Sequence, residues 1–112
     1  MIKKLTNVTT EVSLDEINCK DMYAVKWLVH VSLNSDPAKM QAFEMFAAHD
    51  GSGSADATDV DDTIYAKIKI GAAFNFVAAV DLNGAGSSQV MRLRVSASAA
   101  VTVRAQRIGV IA

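Results

Sequence analysis

The chain has 112 residues, of which 51% are hydrophobic and only 6% aromatic, and its formal net charge is −1. That length makes a single domain, residues 1–112, that buries enough surface to fold without disulfide or metal, while the near-neutral balance excludes a dedicated nucleic-acid binder. One cysteine, Cys19, excludes an internal disulfide, no run approaches the ~20 apolar residues of a membrane helix, and residues 5–13 are too polar for a signal-peptide core, so a soluble product of the cytosol is expected.

Residues 6–14 (TNVTTEVSL) are β-branched and loosely alternating, which predicts a first strand, with residues 1–5 set before it as a candidate flexible arm. Residues 15–21 are polar and read as a connection or a short irregular strand. From 23 to 33 the odd positions Tyr23, Val25, Trp27, Val29, Val31 and Leu33 form one apolar face, opposed by Lys26, His30 and Ser32. Leu28 breaks the polar side, which predicts an outer face covered at its middle by a loop or another subunit. Residues 34–39 (NSDPAK) turn the chain. Two readings compete for 40–49: a helix capped at Ser35 or Asp36 with Pro37 in its first turn, or a strand apolar on both faces. The preceding strand and turn favour the strand.

Residues 49–62 (HDGSGSADATDVDD) are small and acidic and cannot bury themselves, so an exposed loop is expected. After it Ile64, Ala66, Ile68 and Ile70 should face in and Tyr65, Lys67 and Lys69 out, with Gly71 at the turn. Phe74, Phe76, Ala78, Val80 and Leu82 form the next inward set, followed by a loop at 83–88 (NGAGSS). Met91, Leu93, Val95 and Ala97 then oppose Val90, Arg92, Arg94 and Ser96. In the last strand the apolar set Val101, Val103 and Ala105 changes parity to Ile108 and Val110, the mark of a β-bulge or of a strand that bends between sheets. Seven or eight strands with short connections predict an all-β chain folded as a two-sheet antiparallel β-sandwich, with a jelly roll favoured and an immunoglobulin-like arrangement as runner-up.

Chemistry is sparse. A catalytic nucleophile needs a base, and the two histidines offer little: His30 lies on a polar strand face, and His49 opens the acidic loop. No G-x-S-x-G elbow or phosphate-binding loop occurs, no pair of carboxylates stands out, and no enzyme activity or cofactor is expected. Asp50, Asp56, Asp59, Asp61 and Asp62 supply the hard oxygen ligands that Ca²⁺ prefers, but without EF-hand spacing, and a solvated loop is the favoured reading over a metal site. Cys19 has acidic neighbours and reads as inert. No acidic residue follows Asp81, whereas Arg92, Arg94, Arg104 and Arg107 all do. If the last two strands form a hairpin, Arg94 or Arg92 lies opposite Arg104, which is destabilising unless an anion intervenes. Leu28, Arg92, Arg94 and Arg104 are therefore the candidate interface residues, facing a partner's carboxylates or a bound anion. The alternative is that the two strands lie in different sheets, or that the arginines splay into water.

The run from 27 to 111 contains a WLVHV strand, a strand ending in AAHDG, a DATDVDD loop before TIYAKIKIG, then VDLNGAGSSQVMRLRVSA and VTVRAQRI. In this pattern it resembles a group of small bacteriophage virion proteins of β-sandwich or jelly-roll type. The resemblance implies a non-enzymatic structural protein of the virion, made in the host cytoplasm, serving as capsid decoration or as a tail or fibre component. It implies assembly as a homotrimer or other homo-oligomer in contact with other virion proteins, without nucleic acid or membrane. The residues leave a second reading open, a carbohydrate or cell-surface binding module using the loops at 49–62 and 83–88. Sugar sites usually offer an exposed Trp or Tyr, and Trp27 is expected to face inward.

Overall fold

Alternation of apolar and polar residues resolves into eight strands among residues 2–112, which the structure, a computed structural model, describes. They are β1 (Ile2–Val8), β2 (Val12–Asn18), β3 (Ala24–Leu33), β4 (Asp36–His49), β5 (Val60–Ile70), β6 (Phe76–Asn83), β7 (Val90–Ala97) and β8 (Val101–Ile111). A five-stranded sheet runs β1-β8-β3-β4-β5 and a three-stranded sheet runs β2-β7-β6, all pairs antiparallel. The two-sheet sandwich expected from the sequence is present, with its strands divided unequally. Residues 40–49 are strand, because β3 and β4 close as a hairpin around the Asn34–Ser35 turn.

Two expectations are corrected by the connections. Residues 6–14 are not one strand: β1 ends at Val8 and β2 begins at Val12, and the three residues between them carry the chain from one sheet to the other. Ile2–Leu5 belongs to β1 and pairs with β8. For the last two strands the structure takes the alternative that the sequence left open: residues 98–100 cross between sheets and leave β7 paired with β2 and β6, and β8 with β1 and β3.

The core lies between the inner faces. Val25, Trp27, Val29 and Val31 of β3, Phe43 and Met45 of β4, and Val101 and Val103 of β8 meet Leu14, Ile17, Val80, Leu82, Met91, Leu93 and Val95 from the smaller sheet. Burial of each such side chain contributes about 1.5–3 kcal/mol. Tyr23, in phase with this face, precedes the start of β3 and is 59% exposed, against expectation.

Bulges decide which side chains face the core. In β8, Trp27 pairs with Arg107 and Lys26 with Gly109, so Ile108 is the extra residue. This is the predicted parity slip, and it keeps Arg107 in phase with the buried Val101, Val103 and Ala105. In β2, Ser13 pairs with Arg94 and Asp15 with Leu93, so Leu14 is extra and both Leu14 and Asp15 are buried. The two irregularities meet. The Asp15 carboxylate accepts Trp27 Nε1–H at 2.9 Å, Arg107 Nε–H at 2.7 Å, Arg107 Nη2–H at 2.8 Å and the Glu16 N–H at 3.0 Å. A third bulge, in β5, separates Glu44↔Tyr65 from Ala42↔Ile68 and places Ala66 at φ 54°. It leaves Ile64 opposite inward Met45 but turns Ile68 and Ile70 to the outer face, 58% and 57% exposed, which corrects the inward assignment of those two isoleucines.

Burial pushes the Asp15 carboxyl up, but the Arg107 and Trp27 hydrogen bonds outweigh it and hold the group below its ordinary value of 3.8. Because the folded value lies below the unfolded one, the stabilisation is present above about pH 3.8 and is lost as pH falls through the folded value. Arg107→Met, which strands a buried carboxylate, should cost about 3 kcal/mol in urea unfolding at neutral pH. In Asp15→Asn the loss of stability on acidification below pH 3.8 should be shallower than in the wild type, measured by the same unfolding series.

Candidate functional site

The four candidate interface residues fall on two opposite surfaces. Arg92 and Arg94, alternating with buried Met91, Leu93 and Val95 on β7, lie on the outer face of the three-stranded sheet. There each has acidic company: Arg92 Nε and Nη2 donate to Asp81 Oδ1 and Oδ2 at 2.8 and 2.7 Å, and Arg94 donates to Ser13 Oγ and Glu11 Oε1, both at 2.9 Å. The bidentate bond to Asp81 raises Arg92 above its ordinary value. The facing of Arg92 or Arg94 with Arg104 is thereby overturned, because the strands that carry them are in different sheets.

Leu28 and Arg104 lie on the outer face of the five-stranded sheet. In register, Arg104 has Lys4 on one side and His30 on the other, and Leu28 has Gln106 and Glu44. Ile2, Leu28, His30, Arg104 and Gln106 line a hollow of about 180 Å³, at which His30 Nδ1 is buried without a hydrogen-bond partner. Across the same face lie Phe46, Tyr65, Ile68 and Ile70, all exposed, with Lys26 paired to Glu44 at 3.3 Å. The sequence pattern identified Leu28 but missed the isoleucines, which reach this face only through the β5 bulge.

The aspartates of the 49–62 loop serve mainly to hold the loop and its exit strand. Asp50 Oδ1 accepts the Ser52 N–H at 2.9 Å, a bond that keeps its carboxyl below the usual value. Asp56 and Asp59 form a reciprocal capping box on the short 3₁₀ turn Ala57–Asp59. Asp62 accepts the Val80 N–H at 3.0 Å, and Asp61 accepts the N–H of Asp62. Among the described residues no group of three ligating side chains is arranged to hold a metal ion.

Both loops of the alternative reading come together. The Gly86 N–H donates to the Gly53 carbonyl at 3.3 Å, and a cleft of about 390 Å³ opens between Tyr23, His49, Gly51, Lys20 and Gln89. His49 is buried here. Its Nε2 lies 2.6 Å from the Met22 carbonyl and must donate, while its Nδ1 accepts the Gly51 N–H at 3.0 Å, so the geometry requires the neutral Nε2–H tautomer and leaves no free nitrogen for general-base work. Tyr23 stacks on the His49 ring at 5.9 Å and still presents an exposed surface to solvent. Cys19, half-buried at the cleft wall, has its thiol pushed up by burial.

No protein-family model matches the chain, and no curated protein matches it. Its fold is similar to part of the tailspike protein of Acinetobacter phage vB_ApiP_P1, with a TM-score of 0.58 and 16% identity over 96% of this chain and 21% of that one. The tailspike protein of Acinetobacter baumannii phage AM24 aligns at a TM-score of 0.46 and 10% identity, over 96% of this chain and 26% of that one. The chain thus spans about a quarter or less of either protein's length, and the first likeness is one of fold.

The cleft rests on a tight contact. Gly51 has φ +75°, and a Cβ there would sit 3.2 Å from Tyr23 Cε1. Gly51→Ala should cost about 1–2 kcal/mol in urea unfolding, from the left-handed backbone alone.

Proposed function

We propose that the chain is a non-enzymatic structural component of a phage virion, placed in the tail or its fibres and working as a homo-oligomer, with a trimer the leading form, in contact with other virion proteins. The observation that carries this reading is the fold likeness, which extends over 96% of the chain to part of a tailspike protein. A broad exposed apolar sheet face supports it, because a surface of this kind on a soluble chain marks a contact with another macromolecule. The spent nitrogens of His49 argue against catalysis in the loop cleft. Capsid decoration is the other placement implied by the sequence resemblance, and the tailspike fold favours the tail. Immunogold labelling of purified particles with an antibody to this chain should decorate the tail, and absence of the chain from purified particles by mass spectrometry overturns the reading.

One observation favours a second reading, in which the cleft binds a carbohydrate or another cell-surface ligand. The exposed aromatic that such a site needs is present after all, as Tyr23 rather than Trp27, beside the joined loops at 49–62 and 83–88. Titration with oligosaccharides from the host surface should then show saturable binding that Tyr23→Ala abolishes, and no heat of binding with any of them removes this reading.

A further inference from the structure

Three of the four arginines sit on carboxylates: Arg92 on Asp81, Arg94 on Glu11 and Arg107 on Asp15. Arg104 has no such partner among the described residues, and its cross-strand neighbours are Lys4 and His30. Like charges directly opposite on a ladder are destabilising, so this row is prepared for an acid that its own chain does not supply. One acid is left over on the same face. Asp61 lies opposite Ala48 on β4, exposed, beside a hollow of about 210 Å³ lined by Phe46, Ala48 and Thr63. Asp50, Asp56, Asp59 and Asp62 are engaged in holding the loop or β6, whereas Asp61 bonds only the next N–H.

We propose that the outer face of the five-stranded sheet docks a second copy of this chain, with Arg104 of one copy seated on Asp61 of the next and Leu28, Phe46, Ile68 and Ile70 buried around the pair. The inference rests on the homo-oligomeric reading above and names its surface. Within one chain the two groups are three strand spacings apart laterally and six residues apart along the strands, roughly 25 Å, so they can pair only between copies. Five strands by about eight residues make a flat area of roughly 600 Å², before side-chain relief is added, against the ~800 Å² per partner of a standard interface. A ring of copies makes the Arg104–Asp61 contact once per copy, and a two-fold pair makes it twice.

Sedimentation equilibrium of the full chain tests this, with circular dichroism melting to confirm that each variant folds. The wild type should associate, Arg104→Glu and Asp61→Arg should each weaken association at least about tenfold, and a chain carrying both substitutions should associate again, because position 104 of every copy then meets the opposite charge at position 61 of the next. Leu28→Asp should dissociate the assembly without rescue by either. If the wild type associates and the single variants keep its mass, the face is wrong while the homo-oligomeric reading stands. A wild type that stays monomeric at every concentration removes that reading and this inference with it.

Discussion

One buried carboxylate ties the two sheets together. Apolar packing across a sandwich is non-directional, so the valine, leucine and methionine side chains of the core do not by themselves set how far one sheet is offset against the other. Asp15 does so through directional bonds: it stands on β2 of the smaller sheet and accepts hydrogen bonds from Trp27 on β3 and Arg107 on β8 of the larger. Its side chain is almost fully buried, and a charge in that position is tolerable only with its donors in place.

The clamp exists because strands depart from regular pairing at two points. An extra residue at Leu14 turns Asp15 inward, and an extra residue at Ile108 follows Arg107 without taking it out of phase with the core. The same device acts in reverse on β5, where the bulge at Ala66 and Lys67 turns Ile68 and Ile70 away from the core and onto the outer face. Bulges thus place a carboxylate inside, within reach of its arginine at the rim, and an apolar patch outside. The first secures the sandwich, and the second gives its larger sheet a surface that water covers poorly.

The strands β3, β6 and β7 were legible because a half-buried strand imposes period-2 alternation, and Val25 through Val31 or Met91 through Val95 carry it without interruption, whereas residues 40–49, apolar on both faces, read as strand only from the strand and turn before them. The slip in β8 was legible for the same reason. Alternation reports which side of a strand faces the core but not which sheet the strand joins, so nothing in Arg92, Arg94 and Arg104 revealed that they lie on opposite surfaces. The β5 bulge was hidden because Ile64, Ala66, Ile68 and Ile70 keep perfect alternation while the backbone at Ala66 breaks it. Asp15 sat in a polar run and gave no sign of burial. Its partner did: Arg107 continues the odd-numbered series of Val101, Val103 and Ala105, and an arginine in phase with a core face calls for a buried acid.

Side-chain footprinting of the chain at low and high concentration, read by mass spectrometry, tests most directly whether the larger sheet's outer face is the contact surface. Leu28, Phe46, Tyr65 and Ile68 should become protected on concentration, while Val77, exposed on the opposite sheet, stays equally labelled. Protection at Val77 in place of those four, or labelling that does not change with concentration, would contradict it.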